Sequence, residues 1–200
     1  MRLACALLLF LVTGTAAAEC ECLWQGAFVD VHEGADLVVS GTVLSAKGNS
    51  VDVAVQRVMS GRQPLETIRV WMKAADYCRP EAALFPPGSA WVLALHEITE
   101  QVPGGFNPGK PNISYGRIGD YRLSACGGYW LSQTGDRVTG NLVDAPRWVR
   151  DPEMTPVLLD LVDAFVRGDI GRDALAEASR EDPALKELML DTRAFLRDEN

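Results

Sequence analysis

The sequence predicts a mainly β protein, a barrel or sandwich of short strands followed by a short α-helical C-terminal extension. Three observations carry this expectation. Between residues 35 and 142, β-branched and apolar residues recur with a period of two, in short runs broken by Gly, Pro, Asn and Ser. Near residue 150 the apolar period becomes that of a helix. The cysteines at positions 20, 22, 78 and 126 suit a chain whose strands are fastened by disulfides.

The chain opens with one basic residue, Arg2, an apolar run over 3–12 and small residues ending Ala16-Ala17-Ala18. This is the pattern of an export signal over residues 1–18, cleaved after Ala18 to leave Glu19 first. The apolar run is short for a bilayer crossing, and no later stretch approaches the roughly 20 apolar residues of a membrane helix. The mature chain is therefore expected to lack an integral membrane segment and to reside in the periplasm or outside the cell. Glu19 stands directly before Cys20, where a lipoprotein signal needs a small residue, which argues against a lipid anchor.

Residues 19–150 form the expected β body. The first strand is read over 35–43 (ADLVVSGTV), with a bend or bulge at Gly41. Residues 47–50 (KGNS) turn the chain, and Val51, Val53 and Val55 alternate with Asp52 and Ala54 up to the breaker Ser60-Gly61, giving the second strand of a hairpin. Ile68, Val70 and Met72 mark a strand over 67–73, and 90–95 another after the turn Pro86-Pro87-Gly88. Residues 101–112 hold three prolines and three glycines and read as a long exposed loop. Extended structure resumes over 118–124, Cys126-Gly127-Gly128 breaks it, and 129–131 with 137–142 form a last hairpin around Thr134-Gly135-Asp136.

Residues 151–200 form the helical extension. Thr155-Pro156 supplies an N-cap and a first-turn proline, and Val157, Leu158, Leu161, Val162 and Phe165 line one helical face up to Gly168. A second helix is expected over 171–179. A third follows Asp182-Pro183, with Leu185, Leu188, Met189, Thr192, Phe195 and Leu196 at helical spacing. These apolar faces are too small to fold alone and must pack on the body or on a partner.

The signal takes only Arg2 among the charged residues, so 18 of the 19 basic side chains remain against 27 acidic ones. An acidic chain of this kind is not expected to bind nucleic acid. Once Cys5 leaves with the signal, Cys20, Cys22, Cys78 and Cys126 remain, an even set that an oxidising compartment would join into two disulfides. Pairing Cys20 with Cys22 would close a very small strained ring, so each is expected to reach a distant partner. In the chain-entropy model, each such loop stabilises the fold by roughly 4 to 5 kcal/mol.

The chain carries no GxSxG elbow, Walker loop or GxGxxG, and His32 and His96 form no HxxxH or HxH pair. Four cysteines could hold zinc, but their spacing resembles no zinc ribbon. No catalytic residue, metal site or cofactor is therefore expected, and the protein is read as a non-enzyme. The tryptophans at 24, 71, 91, 130 and 148 are read as core or rim packing, with Trp24 set apart by its place beside the first cysteines.

The order and spacing of Cys20-Glu21-Cys22, the strand over 35–43, residues 55–61, 68–78, 91–95 and 121–126 resemble the netrin-like module. This is the family of the N-terminal domains of tissue inhibitors of metalloproteinases. The resemblance implies a five-stranded OB-fold-like barrel and pairing of Cys20 with Cys78 and of Cys22 with Cys126. It also implies a binding edge of Cys20, Glu21, Cys22, Leu23 and Trp24 beside Asp76, Tyr77 and Cys78. In that family the free amine and carbonyl of the first cysteine chelate the protease zinc, and a small hydroxyl residue between the cysteines enters the specificity pocket. Here Glu19 precedes Cys20 and Glu21 brings a carboxylate to the central position, so metalloproteinase inhibition in the family's manner is not expected. The family's third disulfide is missing, and the helical extension does not resemble the second domain of the animal inhibitors.

The expected function is thus that of an exported binding or inhibitor-like module that docks a protein partner, with an extracytoplasmic protease as the candidate, through its stapled N-terminal edge. Two alternatives stand beside it. One is an extracytoplasmic thiol-disulfide protein using the Cys-x-Cys pair. The other is a structural envelope protein that holds a neighbour through its helical tail.

Overall fold

Strand β1 (Leu37–Lys47) runs into β2 (Ser50–Ser60) through a turn at Gly48, whose φ of 61° favours glycine. The two pair antiparallel, with Val43 opposite Val53 and Lys47 opposite Ser50. The first half of β1 also pairs antiparallel with β4 (Ala90–Glu97), Leu37 lying opposite Leu95 and Thr42 opposite Ala90. With β3 (Thr67–Trp71) beside β2, and β5 (Tyr121–Arg122) between β3 and β4, the order β1-β2-β3-β5-β4 returns to β1. The result is a closed five-stranded barrel, the mainly β fold that the sequence predicts. The computed structural model describes residues 20–74, 77–102, 115–143 and 154–180. The expected export signal, Glu19, Asp76, Trp148, most of the Pro/Gly loop and the third expected helix lie outside the described residues.

Closure requires β1 to curl, and its register shifts between Val38 and Val39, Ser40 and Gly41, and Val43 and Ser45. Such bulges bend a strand and raise its twist. Gly41 sits at one of them because a Cβ there would run into the Ala54 carbonyl and press on the Val53 side chain. The weakest seam is the parallel pairing of β3 with β5, which has only two register pairs, Val70 with Tyr121 and Trp71 with Arg122. Side chains brace it: Trp71 Nε1 donates to Asp120 Oδ2 at 2.8 Å and Gln63 Nε2 donates to the Tyr121 hydroxyl at 2.9 Å. On the adjacent β2–β3 seam, Arg69 grips Asp52 directly opposite with two hydrogen bonds of 2.7 and 3.0 Å. That guanidinium holds the Asp52 carboxyl below its ordinary value against the opposing effect of burial.

The sheet extends beyond the barrel. β6 (Trp130–Thr134) pairs with β4, β7 (Arg137–Gly140) follows it in a hairpin, and β8 (Val157–Leu158) pairs with β7. Helices α2 (Leu159–Val166) and α3 (Arg172–Ser179) follow, after a single-turn α1 (Phe28–Val31) near the start. Val157, Leu159, Val162 and Leu175 join the same apolar cluster as the barrel strands. This second layer explains why Leu37-Val38-Val39 and Val92-Leu93-Ala94-Leu95 are buried on consecutive positions instead of alternate ones. Arg57 on β2 ties α2 down through Asp160 at 2.6 Å and Asp163 at 3.3 Å. Arg172 on α3 pairs with Asp30 of α1. No described helix is long and apolar enough to cross a membrane.

Several expected elements change at their ends. The strand read over 118–124 contracts to Tyr121–Arg122. The helix expected to begin at Thr155-Pro156 begins at Leu159, because Val157 completes the sheet opposite Val138 and is buried there. Thr155 caps no helix; its hydroxyl donates to the Arg180 carbonyl at 2.7 Å and closes the α2–α3 segment on itself.

Phe85 is fully buried, with its ring 4.8 Å from that of Trp91 and 5.9 Å from that of Trp130. Phe85→Ala should lower stability by about 3 to 5 kcal/mol, read as a fall in the urea midpoint with both disulfides intact. A loss within ~0.5 kcal/mol, typical of surface substitutions, would show that this aromatic cluster is not part of the packed core.

Candidate functional site

The described chain begins as an extended segment on which Glu21, Leu23 and Gln25 face outward while Cys22 and Trp24 are half-buried. Period-two exposure of this kind marks a strand-like segment laid on a surface. Backbone hydrogen bonds hold it there: Gln25 N–H to the Cys126 carbonyl at 2.8 Å, Gly128 N–H to Gly26 at 2.9 Å, Phe28 N–H to Asn141 at 2.7 Å and Val29 N–H to Leu142 at 3.1 Å. The Tyr129 hydroxyl donates to Gln25 Oε1 at 2.6 Å. Gly128 is required by this approach, since a Cβ would come within 2.7 Å of both the Asn141 carbonyl and the Phe28 nitrogen.

Two disulfides fasten the segment, Cys20 to Cys78 with Cα atoms 5.1 Å apart and Cys22 to Cys126 with Cα atoms 5.8 Å apart. The two bridges lie side by side: Cys20 Sγ is 4.0 Å from Cys22 Sγ, and all four sulfurs fall within 4.8 Å of one another. Both landing strips are themselves coupled, the Ala125 N–H donating to the Cys78 carbonyl at 2.9 Å. Leu23, between the staples and Trp24, is 87% exposed, the most exposed large apolar side chain among the described residues.

Beside the staples lies a hollow of about 500 Å³ that is lined by Cys20, Cys22, Trp24, Lys73, Arg79, Trp130 and Asn141, among others. Lys73 bridges to Glu81 on its wall at 3.0 Å, and Asn141 Oδ1 is sealed from solvent without a hydrogen-bond partner. Of the residues that the sequence places on the edge, Cys20, Cys22 and Trp24 face this hollow. Tyr77 instead lines a second hollow, which Arg79 also lines, and its ring lies tilted 5.5 Å from that of Tyr115. Asp76 lies outside the described residues.

Sequence reasoning missed Arg79, which follows Cys78 directly and is only 6% exposed. One Nη donates to the Tyr115 carbonyl at 2.6 Å, and the guanidinium carbon sits 4.8 Å from the Tyr77 ring centroid. Burial and the nearby Arg122 pull its pKa down to about 10. His96, opposite Arg122 in the β4–β5 pairing, feels the same environment. Burial first, and Arg122 second, hold its pKa below the ordinary 6.5, against an opposing pull from Asp36. The adjacency of a cysteine and a basic residue was visible in the sequence, but the burial was not.

A scan of protein-family models, a search of curated proteins and a search of solved structures each found no match to this chain. Fold and site together define a mainly β protein with a closed five-stranded barrel whose N-terminal segment is fixed by two adjacent disulfides.

Because the folded His96 resists protonation, the unfolded chain takes up a proton first on acidification. Its contribution to stability is therefore flat above 6.5 and is lost as pH falls from there toward the lower folded value. Melting temperature should decline as pH falls below 6.5, and His96→Gln should shrink that decline. Identical slopes in the two proteins would exclude this source.

Proposed function

We propose that the protein is an exported docking module of netrin-like type that binds a protein partner through its stapled N-terminal edge. The observation that carries this reading is Leu23, an almost fully exposed leucine on a segment immobilised by two disulfides and four backbone hydrogen bonds. An exposed apolar side chain on a fixed backbone is a preorganised anchor, since the backbone's ordering cost has been met before the partner arrives. Glu21 beside it is exposed and favours a partner with a basic or neutral rim. The order and spacing of the cysteines support the netrin-like assignment, and the family uses this same edge to engage proteases. An extracytoplasmic protease is the candidate partner. Zinc chelation by the Cys20 amine is not part of the proposal, because Glu19 precedes it in the sequence.

A photo-crosslinking residue placed beside Leu23 should trap a discrete partner. Leu23→Asp should weaken that capture at least tenfold, about 1.4 kcal/mol, whereas Leu44→Asp, at an exposed leucine on β1, should leave it unchanged. Equal capture by both variants would remove the N-terminal edge from the proposal.

One observation favours a second reading, thiol-disulfide exchange: the four sulfurs lie within 4.8 Å of one another. An external dithiol reducing Cys20–Cys78 would release a Cys20 thiolate beside the Cys22–Cys126 bond, within reach of attack on it. Mild dithiol treatment followed by alkylation and mass analysis should then find mixed pairings. Recovery of only the two original bridges would end this reading.

A further inference from the structure

Arg79 and Arg122 line one hollow, and among the described residues neither forms an ion pair. Arg79 is buried, yet among the described residues its guanidinium makes one hydrogen bond, to the Tyr115 carbonyl, supplemented by the Tyr77 ring face. Among the described residues no carboxylate pairs with either guanidinium, although Arg57, Arg69, Arg167, Arg172 and Arg180 all have acidic partners. Removing a charge from water without a counter-charge is costly. Burial first, and repulsion from Arg122 second, lower the Arg79 pKa. Natural folds tolerate such an arrangement where an anion completes it.

Both guanidinium-bearing residues line one hollow of about 280 Å³, with Tyr77, Thr99 and Gln101 on its wall. Arg79 also lines the larger hollow beside the staples, so it is common to the two. The volume is slightly below the roughly 300 to 1,000 Å³ of sites for drug-sized ligands and suits a small group. Glu97 and Glu100 stand on the same wall. Their charge penalises a multiply charged anion more than a singly charged one, while the planar fork of an arginine matches the two oxygens of a carboxylate.

We infer that the Arg79–Arg122 hollow is a binding site for a single carboxylate group. The carboxylate comes either from a free small acid or from the chain terminus or acidic side chain of a docked polypeptide. The inference does not require the Leu23 edge to bind anything.

The test uses the full disulfide-bonded protein, labelled with ¹⁵N, and follows the arginine Nε–H signals. Acetate should shift the Arg79 signal saturably, and Arg122→Gln, at an exposed position that leaves the fold intact, should weaken that binding at least tenfold. Arg79→Lys serves as a second variant that retains the charge and loses the fork. A pentapeptide with a free C-terminal carboxylate that binds more tightly than both acetate and the same peptide amidated points to a polypeptide source. Equal affinity for acetate and the free-acid peptide, with none for the amide, points to a free small acid. Either result supports the site. No saturable shift with acetate, binding indifferent to Arg122→Gln, or preference for inorganic phosphate over acetate overturns it.

Discussion

The rest of this structure depends on β1 hydrogen-bonding to β2 and β4 at once. A strand shared by two neighbours removes the open edges that an isolated sheet would leave, and it can be shared only if it bends. The three register shifts along β1 provide the bend, and Gly41 provides the space for the backbone of β2 to approach. Held by β1 along one edge, β4 pairs along its other edge with β5 and β6. The outer strands β6, β7 and β8, and the helices that follow, therefore rest on a frame closed by one strand.

Closure alone does not position the N-terminal segment. Residues 20–29 have little apolar surface to bury before Ala27 and Phe28, so their order comes from covalent and backbone bonds. Fixing a residue's backbone costs roughly 1 to 2 kcal/mol, and a few hydrogen bonds worth about 1 kcal/mol each net do not offset that over an exposed stretch. Disulfides act on the other side of the balance, by restricting the unfolded chain. The consequence is an edge that is rigid and exposed together, a combination that apolar burial cannot produce.

The sequence made the barrel legible where a single rule applied. Alternating apolar residues located β2 and β3, a run of β-branched residues located β1, and Gly41 announced its bulge, because the pleat has a period of two and glycine is costly inside a strand without a steric reason. The rest depended on partners distant in sequence. β5 shrank to two residues because its pairing with β3 is parallel and its length is set by where the two chains meet. Val157 and Leu158 fit a helical stripe equally well, and only the free edge of β7 makes them a strand. The single turn α1 is too short to have a period. At the candidate site, the spacing of the cysteines drew attention to the edge, but the burial of Arg79 without an ion-pair partner among the described residues is a property of three dimensions that no spacing encodes.

That burial has a bearing on how the two halves of the site communicate. Arg79 follows Cys78 without an intervening residue, so the staple that fixes Cys20 also fixes the backbone that carries the buried guanidinium. Arg79 lines both the hollow that Trp24 lines and the hollow that Arg122 lines. A counter-charge arriving on the Arg122 side would orient the guanidinium fork and thereby alter the wall of the other hollow. The coupling can be only as large as the difference in the anion's affinity between the two arrangements of that side chain. The Tyr115 carbonyl and the Tyr77 ring already hold the guanidinium from two sides, so the available movement is a local reorientation and not a displacement of the strand. The barrel and its staples are thus a fixed frame, and Arg79 is the charged side chain that lines both hollows.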